Sequence, residues 1–253
     1  MKRTSTVLAL SLLVLVAPQV LASSPEPLVA SLSRIVIPTS ANLAGAQGAQ
    51  FTTRLSILNV TDRAYNVGVI HYGNDGNTRT ATISLGPRQI RNYENFLQEL
   101  FSFSGAGAAA FASLDDQDQF MVIAEVVNDV GNGKFKTVVA SGAVIEESYP
   151  ELDNLSLGIN VDTNNRTNLG IFNDSNETNN VFADAFNSSG VLVATVAFEN
   201  VPPRGWQQKS LGSNVSGGFI KWRVSGPHIY AWAVVVDNRS NDGTFLPAAD
   251  VVR

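Results

Sequence analysis

The stretch TRLSILN at Thr53–Asn59 decides the fold, because it recurs 114 residues later as TNLGIFN at Thr167–Asn173. In the first stretch Leu55 and Ile57 alternate with polar neighbours, and the second stretch repeats that spacing. A period of two is typical of a β-strand with one buried face. Both stretches therefore predict equivalent strands.

The match between the two halves of the chain continues beyond these strands. The further matches are Asn66-Val67 with Asn180-Val181, Pro87-Arg88 with Pro203-Arg204, residues 122–129 with residues 231–238, and Phe135 with Phe245. Several matches in the same order, with insertions confined to polar or Gly-rich stretches, indicate a duplicated domain. The predicted domains cover residues 34–146 and 153–253.

Short alternating runs separated by turn signals, such as Asn74-Asp75-Gly76, favour an all-β fold. We therefore predict two tandem β-sandwich domains of the same topology. One short helix is inserted in the first, where residues 92–103 place Phe96, Leu97 and Leu100 at helical spacing. The second domain replaces this helix with a shorter connection over residues 207–216.

The N-terminus has the three-part plan of a secretory signal. Lys2 and Arg3 precede the apolar run at residues 7–16, and Ala22 supplies a small residue for cleavage. The run is too short to cross a bilayer comfortably. We predict a signal peptide over residues 1–22, a secreted or periplasmic protein that could be held at the cell surface, and no transmembrane segment after cleavage.

Composition excludes several classes of function. The chain has 22 acidic against 17 basic residues, which disfavours nucleic-acid binding because that affinity depends on neutralising phosphates. It has no cysteine, which excludes disulfides and thiol catalysis. Hydrophobic residues make up 44% of the chain, enough to form a core.

Four segments resemble a module found, often in tandem, in exported and uncharacterised bacterial proteins. They are IPTSANLAGAQGAQFTTRLSILN (37–59), RTNLGIFN (166–173), PPRGWQQ (202–208) and AVVVDNRSNDGTFLPA (233–248). The module is also distantly similar to the soluble transducer of bacterial sensory rhodopsin. The resemblance implies a small β-sandwich with a binding or signalling role and no known catalytic residues.

No pattern of residues predicts an active site or a metal site. His71 and His228 are far apart without a zinc motif, and we expect them to be exposed or half-buried. The acidic cluster at residues 115–118 lacks the pattern of a calcium loop and is expected to be a solvated hairpin tip. We predict no catalytic residues, no metal and no cofactor.

Aromatic residues give the candidate binding site. Tyr230 and Trp232 occupy the strand face that carries Glu125 in the first domain, and Glu125 should point to water. We therefore expect Tyr230 and Trp232 to point outward, with Trp206 nearby, while Trp222 lies in the core. Exposed aromatics can bind a sugar ring or a protein, or they can pack against the sister domain or another subunit.

The sequence thus favours a non-catalytic binding protein that recognises a carbohydrate or cell-surface ligand through Tyr230, Trp232 and Trp206. The expected partner is a protein or a glycan, and the chain could form a homo-oligomer. One alternative is a structural or adhesive surface protein that acts by self-association through its sheet edges. A second alternative is a glycan-active hydrolase, whose paired carboxylates would need only the right geometry.

Overall fold

Alternating apolar residues build the strands of both halves of the chain. The computed structural model describes residues 34–45, 48–113, 119–129, 134–139, 144–145 and 152–252. The predicted signal peptide, the acidic cluster at 115–118 and the linker residues 146–151 lie outside the described residues.

The elements before the linker run in this order: β1 (Arg34–Ala44), β2 (Gln50–Asn59), β3 (Tyr65–Gly73), β4 (Thr78–Leu85), β5 (Ile90–Tyr93), α1 (Phe96–Phe101), β6 (Gly105–Ala112), β7 (Phe120–Asp129), β8 (Lys134–Val139) and β9 (Val144–Ile145). After the linker follow β10 (Leu152–Val161), β11 (Asn165–Asn173), β12 (Asn179–Phe186), β13 (Leu192–Val201), β14 (Trp206–Leu211), β15 (Val215–Val224), β16 (Ile229–Asp237), β17 (Gly243–Pro247) and β18 (Ala249–Val252).

The two halves are β-sandwiches of the same topology, as predicted. In the first sandwich the strand orders are β4-β3-β6-β1 and β5-β2-β7-β8, and a short β1–β2 pairing joins the two sheets. In the second sandwich the orders are β13-β12-β15-β10-β18 and β14-β11-β16-β17. All of these pairings are antiparallel.

Each sandwich has its own core, and the alternation in the sequence predicts which side chains fill it. Leu55 and Ile57 in the first core, and Leu169 and Ile171 in the second, are almost fully buried. Trp222 lies in the second core, as predicted, and its indole nitrogen donates to Ser156 Oγ at 3.0 Å.

The helix of the first sandwich is shorter than predicted. Residues 90–93 form β5, and α1 covers only Phe96–Phe101. The Asn95 side chain caps the helix by accepting from the Gln98 amide, and Ser102 ends it with a left-handed backbone at φ 51°. In the second sandwich the predicted connection at 207–216 is mostly strand, because β14 runs to Leu211 and β15 begins at Val215.

In each sandwich a buried asparagine fixes the turn that follows the strand formed by the repeated stretch, β2 in the first and β11 in the second. The Asn59 side-chain amide donates to the carbonyls of Arg63 and Gly86, both at 2.7 Å. Asn173 repeats this arrangement and donates to the carbonyl of Val201 at 3.1 Å. Both asparagines are fully buried. Although each begins an Asn-x-Ser/Thr triplet, its role in this turn is structural.

The strand β9 crosses from the first half of the chain to the second sandwich. The predicted first domain extends to residue 146, but Val144 and Ile145 pair with β16 at Tyr230 and Ile229. Ile145 is buried in the second core. The two sandwiches belong to one compact unit, and this strand is one of the features that joins them.

Candidate binding cleft between the sandwiches

The outer face of the sheet β14-β11-β16-β17 is a layer of aromatic rings, which we call the aromatic face. It consists of Phe172, Trp206, Tyr230, Trp232 and Phe245. The Trp232 ring centroid lies 6.2 Å from those of both Trp206 and Phe245. The Trp232 indole covers Gly170 on the neighbouring strand, where a side chain would collide with the ring.

The first sandwich covers this layer with a face of mostly small side chains, which we call the alanine face. It is the outer face of β1-β6-β3 and consists of Val36, Ile70, Tyr72, Ala108 and Ala110. The Tyr72 and Phe172 rings meet across the interface with centroids 5.3 Å apart. Small side chains let the aromatic rings of the second sandwich approach closely, so the two faces form one buried apolar layer.

The expectation that Tyr230 and Trp232 point to water is wrong. Both lie on the face away from their own core, but Tyr230 is 8% exposed and Trp232 is 1% exposed, because the first sandwich covers them. Trp206 is half-buried beside them, and its indole nitrogen donates to the Pro38 carbonyl at 3.1 Å. The three residues do lie together, within the contact between the sandwiches.

Polar contacts between the sandwiches surround the apolar layer. The buried Asp174 carboxylate of the second sandwich binds Arg204 beside it and Arg34 of the first sandwich, whose Nη2 lies 2.7 Å from Asp174 Oδ1. At the other end, the Asn128 amide donates to the Asn241 carbonyl at 2.8 Å. These bonds fix the orientation in which the two faces meet.

Next to this layer, the two sandwiches enclose a cleft with a cavity of about 390 Å³. Its apolar wall carries Phe51, Val126, Phe135, Val139, Trp206, Trp232, Val234 and Phe245. Its polar wall carries Asn128, Thr137, Arg166, Asn168, Gln208 and Asp242. Both sandwiches contribute to each wall, so the cleft exists only when the two are docked.

Two buried polar atoms among the lining residues lack a hydrogen-bond partner within the described part of the chain. They are the indole nitrogen of Trp232 and the side-chain oxygen of Asn128, in residues that are 1% and 4% exposed. The first atom is a donor and the second an acceptor. Unpaired buried groups of this kind cost free energy, and neither atom has a surface that a molecule in the cleft can reach.

Sequence reasoning identified the two tryptophans of the cleft but missed its polar wall. Gln208 lies in the PPRGWQQ segment, two residues after Trp206, so the same strand face carries both. Asn128 is the next-to-last residue of β7 in the first sandwich, and no local pattern connects it with tryptophans more than 70 residues away. Contacts between the domains bring these groups together.

His71 lies in the first core and not at the surface, so the expectation of an exposed or half-buried histidine is wrong for it. The residue is fully buried, and its ring lies 5.1 Å from that of Phe103. Burial, with a smaller contribution from the nearby Arg79 charge, lowers the pKa of His71 to about 4. The ring is therefore neutral at physiological pH.

Among the described residues, no helix is long and apolar enough to cross a membrane. The same part of the chain contains no group of three or more His, Cys, Asp or Glu side chains that could hold a metal ion.

No family model and no curated protein matches the chain. Among solved structures it is similar to a calcium-binding mutant of Bacteroides uniformis β-glucuronidase 2, with 11% identity, a TM-score of 0.15, and coverage of 80% of this chain and 25% of that chain. The same enzyme covalently bound to cyclophellitol-6-carboxylate aziridine gives 11% identity, a TM-score of 0.14, and coverage of 84% and 26%. The chain thus spans about a quarter of these structures, and similarity at this level carries no information about activity.

Proposed function

We propose that the chain is an exported, non-catalytic binding protein that holds an uncharged, polyhydroxylated ligand, such as a sugar ring of a glycan, in the cleft. The observation that carries this proposal is the cleft itself, in which aromatic rings lie beside the side-chain amides of Asn168 and Gln208. The leader pattern at residues 1–22 supports export.

A hydroxylated ligand fits the chemistry of this cleft. A hydroxyl group can donate a hydrogen bond to a side-chain amide oxygen of Asn168 or Gln208 and accept one from its nitrogen. The C–H edges of a sugar ring carry partial positive charge and favour the negative face of an aromatic ring, which Trp206, Phe135 and Phe245 can offer. One ligand class therefore satisfies both walls of the cleft.

The remaining lining groups favour a neutral ligand. Asn168 and Gln208 carry amides that can both donate and accept. The charged Arg166 is held by the side-chain oxygens of Asn238 and Asn241 at 3.0 and 2.8 Å. A cavity of about 390 Å³ also falls in the range of small-molecule sites.

The cleft gives little support to a hydrolytic function. Its described lining contains no histidine and one carboxylate, Asp242. Glycoside hydrolysis needs two carboxyl groups about 5–10 Å apart. A binding role therefore agrees better with this set of side chains.

A glycan-binding screen followed by calorimetry tests the proposal. Wild-type protein should bind at least one glycan, and Trp206→Ala, which removes a half-buried ring of the cleft, should weaken that binding about tenfold. Gln208→Ala should weaken it as well. The matched control is Asn92→Ala, the equivalent position of the first sandwich, which should bind like the wild type.

Failure of the wild-type protein to bind any glycan would overturn the proposal for sugars. Equal losses in Gln208→Ala and Asn92→Ala would also contradict it, because Asn92 does not line the cleft. Unfolding curves for each variant separate a loss of binding from a loss of fold.

A further inference from the structure

The first sandwich has a counterpart of the aromatic face, and that counterpart is uncovered in the described structure. Strand registers define the equivalence: Trp206 and Tyr230 flank Phe172 on either side, and Ile90 and Met121 flank Leu58 in the same way. By the same registers Ile123 occupies the position equivalent to Trp232, and Val138 occupies the position equivalent to Phe245. The sheet register therefore aligns Phe245 with Val138, and not with Phe135 as the sequence match suggested.

We call this surface the open face; it is the outer face of β5-β2-β7-β8. Ile90, Met121, Ile123 and Val138 are 54%, 56%, 53% and 58% exposed. The residues at the same positions of the second sandwich are buried or half-buried at an interface. The first sandwich thus presents to solvent the surface that its sister uses for docking.

The outer face of the second sandwich that corresponds to the alanine face is partly charged: Lys221 and Asp184 take the positions of Ala110 and Ile70 and pair with Asp153 and Arg223. An exposed apolar row lies beside these ion pairs. On the outer face of β10-β15-β12-β13, Leu157, Phe219, Phe186 and Leu192 lie directly opposite one another across four strands. Leu157 and Leu192 are 62% and 52% exposed, and the two phenylalanine rings stack with centroids 4.9 Å apart. We call this row the phenylalanine face. Phe186 stands at the position of Tyr72.

We propose that the chain self-associates head to tail: the open face of one copy binds the phenylalanine face of the next. The contact would use the same two outer sheet faces as the one that joins the two sandwiches within a copy, with the ion pairs of Lys221 and Asp184 at its edge. The internal contact uses two different faces, so its repetition joins copies in one direction and builds a chain or a closed ring.

The sizes of the side chains are complementary in this contact. Within a copy, large aromatic rings pack on small alanines. Between copies the order is exchanged, because the open face carries smaller aliphatic residues while Phe219 stands where the alanine face has Ala108. The large rings of Phe186 and Phe219 would thus meet smaller aliphatic side chains, which favours close packing.

The charges at the rim are complementary as well. Within a copy, Arg34 of the alanine face meets the second sandwich at Asp174 and Arg204. The position of Arg34 is taken by Asp153 on the phenylalanine face, and the position of Arg204 is taken by Arg88 beside the open face. Within its own copy Asp153 lies 2.9 Å from Lys221 and Arg88 lies 2.8 Å from Asp62. The contact would therefore bring two ion pairs side by side, with the acidic residue of one next to the basic residue of the other.

Sedimentation velocity of the purified full chain over a range of concentrations tests the proposal. Wild-type protein should form dimers and larger species as its concentration rises to about 100 µM, a range that covers weak association. Ile123→Asp on the open face and Leu157→Asp on the phenylalanine face should each weaken assembly at least tenfold. Gln98→Asp, an exposed change on α1 outside both faces, should behave like the wild type.

Mixing the two blocked variants distinguishes head-to-tail assembly from other arrangements. Each blocked variant retains the face that the other lacks, so an equimolar mixture should form a dimer although neither variant assembles alone. A monomeric wild type at all concentrations would overturn the proposal. So would assembly of Leu157→Asp alone, which would show open faces pairing with each other, or a mixture that stays monomeric.

These variants also keep this proposal separate from the proposed function. Neither Ile123 nor Leu157 lines the cleft. Glycan binding should therefore be unchanged in both variants, and a failure of one proposal leaves the other in place.

Discussion

The aromatic face and the open face occupy the same position in two sandwiches of the same topology, yet they have different surroundings. Trp232 is 1% exposed, whereas Ile123 at the equivalent position is 53% exposed. Glu125 lies beside Ile123, while Val234 takes its position in the second sandwich. The aromatic face of the second sandwich is thus apolar and buried, whereas the open face of the first carries both aliphatic and charged side chains and is exposed.

This difference shows that the fold of each sandwich leaves its outer face free to take on a function. The alternating core residues are equivalent in both halves and specify the sandwich. The outer positions contribute little to that fold, so they can carry rings for docking, amides for a ligand or aliphatic side chains for another copy. The two sandwiches therefore differ most in their outer faces and least in their cores.

The largest effect is expected where the two faces differ most in burial. Trp232→Ala should destabilise the protein by about 3–5 kcal/mol, because it removes a buried indole between two sandwiches. Ile123→Ala should change the free energy of unfolding by less than about 0.5 kcal/mol, because its side chain is exposed. Urea unfolding followed by circular dichroism measures both.

Similar losses in the two variants would contradict the contrast between a buried and an exposed face. A large loss for Ile123→Ala, in particular, would mean that another part of the chain covers the open face. Sedimentation of the same sample then shows whether a second copy provides that cover.

The sequence was sufficient to predict the sandwiches because their cores depend on local alternation. Leu55 and Ile57 are buried as their spacing requires, and Leu169 and Ile171 repeat this. The same alternation placed Tyr230 and Trp232 on the outer side of their strand. The length of the helix was overestimated because the apolar spacing begins within β5 and does not mark where the helix starts.

The alternation pattern could not predict whether Tyr230 and Trp232 are exposed to solvent, because their exposure depends on which surfaces of the two sandwiches dock. The Tyr72–Phe172 contact joins residues 100 positions apart, and no periodic pattern marks it. One signal was present: Val234 replaces Glu125 on the outer face of the second domain. The loss of a charge beside several aromatic residues favours burial over exposure.

The cores of the two sandwiches differ at one polar position, and this predicts a pH dependence. The buried His71 of the first core corresponds to Ala185 of the second. Its pKa is lowered to about 4 in the folded protein, against about 6.5 when unfolded. The unfolded chain therefore takes up a proton first, and stability should fall as the pH drops from about 6.5 to about 4, by about 3 kcal/mol in total.

Urea unfolding at several pH values, for wild type and His71→Leu, isolates this contribution. The variant should lose less stability over the same range, because it has no side chain to protonate at that position. Equal pH dependence in both proteins would show that other groups, such as the carboxylates, account for the acid sensitivity.

The smallest expected change in stability concerns Gly170, which lies beneath the Trp232 indole. Gly170 of the aromatic face corresponds to Ser56 of the open face. A Cβ at position 170 would lie 2.2 Å from Trp232 Cε2, so Gly170→Ser should destabilise by about 1–3 kcal/mol as the ring is displaced. In a Trp232→Ile background the same change reproduces the Ser56–Ile123 pair of the first sandwich and should cost much less. A double-mutant cycle measures this coupling, and equal costs in both backgrounds would show that the glycine is required by the strand itself and not by the ring.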